Sequence, residues 1–311
     1  MIELSKLEAF IYAAEHLSFS EAAKHLQLTQ PTISHRIKML EQELNVSLFD
    51  RSGHTLTLTE AGRVLLPWAH KLIHQALETQ EMMASLQDGV VGSLRVACST
   101  TAGKYVLPQL AARFCQRYPG IQVSILACTA HHVIPRLLEG EANLAVVSSY
   151  DLCDRGFECQ EFFTDHITLI IPADHPWVGR QSIEPADLLS ETLLMREPTA
   201  GTRRVLLTEL AKHDITLDDL NIALEIGNAE AIVKTVEAGY GIAFVSALAA
   251  SWAVAQGGVV RMPVQDMVLK RTVFMIRRGL VTANRPQETF WGFVHDPSNA
   301  DLLRMASQEV D

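Results

Sequence analysis

At 311 residues, with 48% hydrophobic and 20% charged side chains, the chain is too long for one ordinary domain and has the balance of a folded protein of two or three. No apolar run approaches the roughly 20 residues that span a bilayer, and the segment after Met1 is amphipathic, so no membrane span or signal core is expected and a cytoplasmic location is. The formal net charge of −10 excludes indiscriminate adhesion to nucleic acid, so any such binding has to be local.

Leu4, Leu7, Phe10, Ile11 and Ala14 recur at three- and four-residue steps and predict a first helix with one apolar stripe. Ser18-Phe19-Ser20-Glu21 reads as a capping box opening a short second helix that turns Ala22, Ala23 and Leu26 inward. Thr29 caps a third helix, Pro31 sits where its missing amide hydrogen costs little, and Ile33, Ile37, Leu40 and Leu44 form the buried stripe. Gln30, Thr32, Ser34, His35, Arg36 and Lys38 are then left around the exposed faces, a mixture suited to base edges and phosphates. After Leu48-Phe49-Asp50-Arg51, a turn at Ser52-Gly53-His54 and the alternating Thr55-Leu56-Thr57-Leu58 predict a small wing. Spacing alone leaves open an ordinary three-helix bundle with a solvated polar face, and residues 1–58 are themselves slightly acidic.

From Thr59 to Leu86, the positions Leu65, Ala69, Leu72, Ala76, Thr79, Met83 and Leu86 alternate four- and three-residue steps, the seam of a two-stranded coiled coil, with Pro67 a source of a kink and Gly89 and Gly92 as terminators. A helix of roughly 28 residues exceeds the usual globular length and calls for a partner, here a second copy of the chain. His70 and His74 lie one turn apart, but without a third ligand nearby they read as polar positions, and no metal or cofactor is expected.

Ser93–Cys98, Gln122–Ala127 and Asn143–Val147 read as buried strands alternating with helices at Lys104–Tyr118 and His131–Glu139, which implies an α/β unit with a largely parallel sheet. Near Glu158–Phe163 the chain leaves this unit; His166–Ile171, Leu193–Met195, Ile222–Ile226 and Gly241–Val245 supply a second strand set, and Arg271–Ile276 returns to the first. Ser99, Thr100 and Thr101, at the junction between the first strand and its helix, offer hydroxyls and free amides to an anion, or cap the helix. Lys104 either adds charge there or is solvated. The second such junction is Arg196-Glu197-Pro198-Thr199-Ala200-Gly201-Thr202-Arg203, where Gly201 permits close approach and Thr202 and Arg203 offer donors. Asn228 is a further pocket candidate, as are Ser148 and Ser149 near the hinge, with Thr129, His131 and His132 as weaker ones. A lining of hydroxyls, amides and one arginine suits a small anionic metabolite such as a carboxylate, phosphate ester or sulfur oxyanion.

The five cysteines, Cys98, Cys115, Cys128, Cys153 and Cys159, contain no Cys-x-x-Cys pair and are expected as reduced thiols. The chain has no Gly-x-Ser-x-Gly elbow, phosphate loop or paired carboxylates in a supporting context, so it is not expected to be an enzyme.

The ordered motifs Leu7-Glu8-Ala9-Phe10, Ser18-Phe19-Ser20-Glu21-Ala22-Ala23, Leu28-Thr29-Gln30-Pro31-Thr32-Ile33-Ser34, Ile37-Lys38-Met39-Leu40-Glu41, Leu48-Phe49-Asp50-Arg51 and Thr57-Leu58-Thr59-Glu60-Ala61-Gly62 closely resemble the N-terminal domain of the LysR family of transcriptional regulators. The resemblance implies a winged helix-turn-helix over 1–58, a linker and dimerisation helix over 59–90, and a ligand-sensing domain over 91–311. That domain is expected to resemble periplasmic solute-binding proteins, with one lobe near 91–162 and 269–311 and the other near 163–268. It carries DNA contact onto Ser18, Gln30, Pro31, Thr32, Ser34, His35, Arg36, Lys38 and Arg51. It carries effector contact onto Ser99, Thr100, Thr101, Thr129, Ser148, Glu197, Ala200, Gly201, Thr202, Arg203 and Asn228. The residues 196–203 resemble the branch of carbon-fixation and sulfur-assimilation regulators, except that Ala200 stands where a serine is common. The implied partners are double-stranded promoter DNA, a small anionic effector, RNA polymerase, and further copies of the chain in a homodimer and homotetramer. Some members respond to thiol oxidation, which keeps Cys153 and Cys159 near the hinge in view as a rival input.

Overall fold

The computed structural model describes residues 2–51, 55–88, 91–148, 156–279 and 284–307. Helix α1 (Leu4–His16) buries Leu7, Phe10, Ile11 and Ala14 as its spacing requires, but Leu4 faces solvent because the stripe begins one turn later. Helix α2 (Phe19–His25) is opened by the Ser18 hydroxyl, which accepts from the Glu21 amide at 3.3 Å. The Glu21 carboxylate does not reach back to complete a capping box; Lys24 Nζ donates to it at 2.7 Å. Thr29 opens α3 (Gln30–Leu44), whose Ile33, Ile37 and Leu40 are buried. Two short strands, β1 (Phe49–Asp50) and β2 (Thr57–Leu58), pair antiparallel with Phe49 opposite Leu58; the turn residues 52–54 fall outside the described residues.

Helix α4 (Glu60–Asp88) continues through Pro67. A Cβ added to Gly62 would strike the Leu48 carbonyl and the Leu58 side chain, so this glycine lets the helix seat directly on the β1–β2 ribbon. The expected seam divides. Leu65 and Ala69 pack into the α1–α3 core, because that core supplies an apolar surface within the same chain, whereas Leu72 and Met83 are exposed. Val64 and Trp68, outside the expected seam, are exposed as well, and with Leu72 they form an uncovered apolar row at helical spacing. The side chain of Leu86, like that of His74, is not among those described.

The remaining chain builds one nine-stranded sheet, from β3 (Gly92–Cys98), β4 (Ile121–Ala127), β5 (Leu144–Val147), β6 (Phe157–Pro172), β7 (Thr192–Arg196), β8 (Asn221–Ile226), β9 (Ile242–Ser246), β10 (Val259–Met262) and β11 (Lys270–Arg278). The order is β4-β3-β5-β11-β6-β9-β7-β8, with β10 also paired to β6. Helices α5 (Thr101–Arg117), α6 (Ala130–Glu139), α7 (Gly201–Ala211), α8 (Ala229–Glu237), α9 (Ala247–Ala255), α10 (Arg285–Phe293) and α11 (Ala300–Ser307) cover it. One lobe gathers Leu94, Val96, Phe114, Phe162, Phe290 and Phe293. The other gathers Leu169, Leu193, Leu206, Leu210 and Phe244, and a separate cluster under α8 and α9.

Two expectations change. The sheet is mixed rather than largely parallel: β3, β4 and β5 are mutually parallel, as are β7, β8 and β9, but β6 and β11 run antiparallel to the strands they meet. They do so because they carry the chain between lobes and back. The strand expected over His166–Ile171 is also longer: it is part of β6, which starts at Phe157 and takes in Glu158–Phe163, where the chain leaves the first lobe. Asp165, within this strand, is fully buried, its carboxylate accepting from Arg271 Nε at 2.8 Å and from Ser246 Oγ at 2.6 Å. The cysteines need a third correction. Cys98, Cys115 and Cys128 are free, but Cys159 is in a disulfide.

Among the described residues no helix is long and apolar enough to cross a membrane.

Candidate functional sites

The first site is the surface of α3. Its N-terminus is built by Thr29, whose Oγ1 accepts from the Thr32 amide at 3.4 Å and lies 2.8 Å from the Thr32 hydroxyl. Gln30, Pro31, His35 and Lys38 are exposed, and Ser34 is half-buried. Three other candidates already have work in the fold. Arg36 is half-buried and its Nη1 donates to the Ser5 carbonyl of α1 at 3.4 Å. Arg51 Nη2 donates to Glu41 at 3.2 Å while its guanidinium lies 5.0 Å above the Phe19 ring. Ser18 caps α2.

Sequence reasoning passed over Glu41 as a functional residue, and its role is central to this surface. One carboxylate oxygen accepts from the Leu48 amide at 2.8 Å and the Phe49 amide at 3.3 Å, and the other meets Arg51, so Glu41 ties the end of α3 to the ribbon. No periodicity marks such a residue. Thr59 has a related role, donating to the Ser47 carbonyl at 2.6 Å and accepting from the Gly62 amide at 3.0 Å.

The second site lies where the strand-to-helix junctions of the two lobes meet. Thr100 is buried and caps α5, its hydroxyl accepting from the Gly103 amide at 2.9 Å; this is the capping alternative that the sequence left open. Thr101 takes a different part: its hydroxyl accepts from Arg196 Nη1 at 3.1 Å, joining α5 to the end of β7. Ser99 is half-buried with its hydroxyl 3.5 Å from the Val146 carbonyl. Arg204, which the sequence did not single out, donates to the Ser148 carbonyl at 2.8 Å. Gly201 lies so close to Ser148 that a Cβ would meet both the Ser148 hydroxyl and Nη1 of Arg271. Ser99, Thr101, Ser148, Ala200 and Gly201 therefore belong to one region.

The arginines there are compensated internally. Arg196 makes a two-pronged pair with Glu197, Nε to Oε2 at 2.8 Å and Nη2 to Oε1 at 2.9 Å. Arg203, read as an anion donor, gives Nη1 to Glu225 at 2.5 Å and to the Arg196 carbonyl at 3.0 Å, so its charge is already engaged. Asn228 caps α8, accepting from the Ala231 amide at 3.0 Å. Helix α7 differs from its neighbours. Its N-cap is Ala200, which supplies no side-chain acceptor, and the adjacent Thr202 hydroxyl is buried without a hydrogen-bond partner among the described residues.

Thr129 is exposed and bonded to His132 Nδ1 at 2.8 Å. His70, the other helical histidine considered for metal, lies 3.4 Å from Glu15. Burial pushes the Cys98 thiol up to about 11, which disfavours the reactive thiolate at that position.

Comparison with known proteins follows this division. Residues 4–63 match the family described as bacterial regulatory helix-turn-helix protein, lysR family, and residues 87–297 match the LysR substrate binding domain. A probable RuBisCO transcriptional regulator of Nostoc is 30% identical over 94% of this chain and 89% of its own length. An uncharacterized HTH-type transcriptional regulator of Methanocaldococcus jannaschii is 28% identical over 94% of this chain and 98% of its own. Among solved structures, the LysR family regulator CbnR superposes with a TM-score of 0.73 at 22% identity, over 99% of this chain and 100% of that one. The regulatory domain of Synechocystis CcmR, solved in complex with 2-PG, superposes with a TM-score of 0.59 at 26% identity, over 65% of this chain and 95% of that domain. The two family matches together take in the helix-turn-helix head and the two-lobed domain, and the chain belongs to the LysR family of DNA-binding transcriptional regulators with an effector-binding domain.

Proposed function

We propose that α3 enters the major groove of promoter DNA with Gln30, Pro31, Ser34, His35 and Lys38 leading, and that a small anionic effector binds where Thr101, Ser148 and the start of α7 converge. The working division is a DNA-binding head over 1–58, a connecting helix over 59–90 and a sensor over 91–311. Two heads joined through the uncovered apolar row of α4 would read two half-sites, which offsets the weak basic charge of one head through effective concentration. Pairing of sensor domains would extend the dimer to a tetramer, and contact with RNA polymerase would carry the output.

Thr202 carries the effector reading. A buried hydroxyl without a partner, beside uncapped first-turn amides, is costly unless an incoming acceptor uses it. The CcmR regulatory domain, solved in complex with 2-PG, supports a small ligand of the sensor domain. The test is a thermal-shift panel of small metabolic anions that includes 2-PG, on the parent and on Thr202→Val. The variant should melt at or above the parent without ligand and lose the ligand-induced shift; an undiminished shift in Thr202→Val would reject the site.

For DNA, Gln30→Ala should relax preference at one base position of the protected site by about 1–3 kcal/mol, whereas Lys38→Ala should weaken all sequences alike and flatten the salt dependence. Nuclease protection across the upstream sequences, repeated at several salt concentrations, separates the two. A uniform loss for Gln30→Ala would contradict base readout by that residue.

A second input is favoured by the disulfide at Cys159. In this reading reduction of the Cys159 disulfide alters how the sensor holds the heads. DNA protection that is identical before and after treatment with reductant, and identical in Cys159→Ser, would remove it.

A further inference from the structure

A cavity of about 320 Å³ lies between α5, α9, β10 and α11, and its walls come from both lobes. Val106, Leu248 and Met305 make it apolar, while Tyr105, Gln109 and Ser251 place polar atoms on its wall. None of the effector candidates of the strand-to-helix junctions lines it.

Arg261 of β10 is the unusual member. Its Nε is buried without a hydrogen-bond partner, and no carboxylate lies within ion-pair distance of it among the described residues. Burial alone pushes the guanidinium below its ordinary value. Two neighbours in the lining, Asp165 and His166, are committed elsewhere. The Asp165 carboxylate is held by Arg271 and Ser246. His166 donates Nε2 to the Ser307 carbonyl at 3.2 Å. An adjoining recess shares His166, Ala247 and Arg261 with this cavity and adds Lys270, so the uncompensated charge around Arg261 is positive.

We propose that this cavity is a second ligand site, taking a small carboxylate with an apolar body whose carboxylate pairs with Arg261. A guanidinium presents its donors as a planar fork that matches a carboxylate in two-pronged geometry, and the apolar walls exclude water from the pair. The volume stands at the lower end of the roughly 300–1,000 Å³ found for small-molecule sites. Occupancy also couples to the lobes. Tyr105, in the wall, donates its hydroxyl to Glu230 of α8 at 2.8 Å, a bond from one lobe to the other, so a ligand touching both walls binds one interlobe arrangement better than others.

The test uses the full chain, titrated calorimetrically with hexanoate and phenylacetate and with the matching amides. One site per chain is expected for the carboxylates, with the amides and the Arg261→Gln variant about tenfold weaker or worse. Met305→Trp, at a half-exposed rim position where the fold is tolerant, should block the cavity and give the same loss. Thr202→Val should leave carboxylate binding unchanged. The proposal is overturned if neither carboxylate binds at millimolar concentration, if a folded Arg261→Gln or Met305→Trp protein binds as the parent does, or if only Thr202→Val loses binding, which would place the ligand in the other cleft.

Discussion

Asp165→Ala is expected to destabilise the sensor domain by about 3–5 kcal/mol, because it leaves the Arg271 guanidinium buried without its partner. Asp165 is 0% exposed on β6, and it joins β11 through Arg271 Nε and Nη2, both at 2.8 Å, and the end of β9 through Ser246 at 2.6 Å. The three strands meet where the lobes are connected. The same guanidinium reaches toward Gly201, so its release should also change the response to effector. Urea unfolding followed through the sensor domain measures the loss. Asp165→Leu combined with Arg271→Met should recover most of it, since an apolar pair of similar bulk often replaces a buried ion pair without net cost. A loss below about 1 kcal/mol for the single variant would mean that water or backbone movement solvates Arg271.

Phe10→Ala is expected to cost the N-terminal head about 3–5 kcal/mol and to abolish DNA protection while the sensor still melts cooperatively. Phe10 is fully buried at the centre of the head, with its ring edge-on to Phe49 at 5.6 Å between centroids, and Phe49 is in turn edge-on to Phe19 at 5.3 Å. Phe19 carries the Arg51 guanidinium on its face. Emptying the Phe10 position thus loosens the ribbon as well as α1. Scanning calorimetry should resolve a head transition that moves down alone. If DNA protection survives with full affinity, α3 does not depend on this core for its presentation.

The sequence by itself determined the helices of the head, the polar surface of α3, the strand and helix alternation of the sensor, and the family, because each of these is written in short-range periodicity or in motifs of adjacent residues. Which polar group pairs with which was decided only in three dimensions. Arg36 bonds back to Ser5, Arg203 is taken by Glu225, Glu41 gathers two amides and Arg51, and Asp165 is buried in β6 between Arg271 and Ser246. The division of the α4 seam has the same origin, since Leu65 and Ala69 found an apolar surface on their own chain. A side chain's charge and size are legible from its letter. The partner that neutralises or covers it is set by chain segments brought together on folding, and Arg261 stands out for lacking one among the described residues.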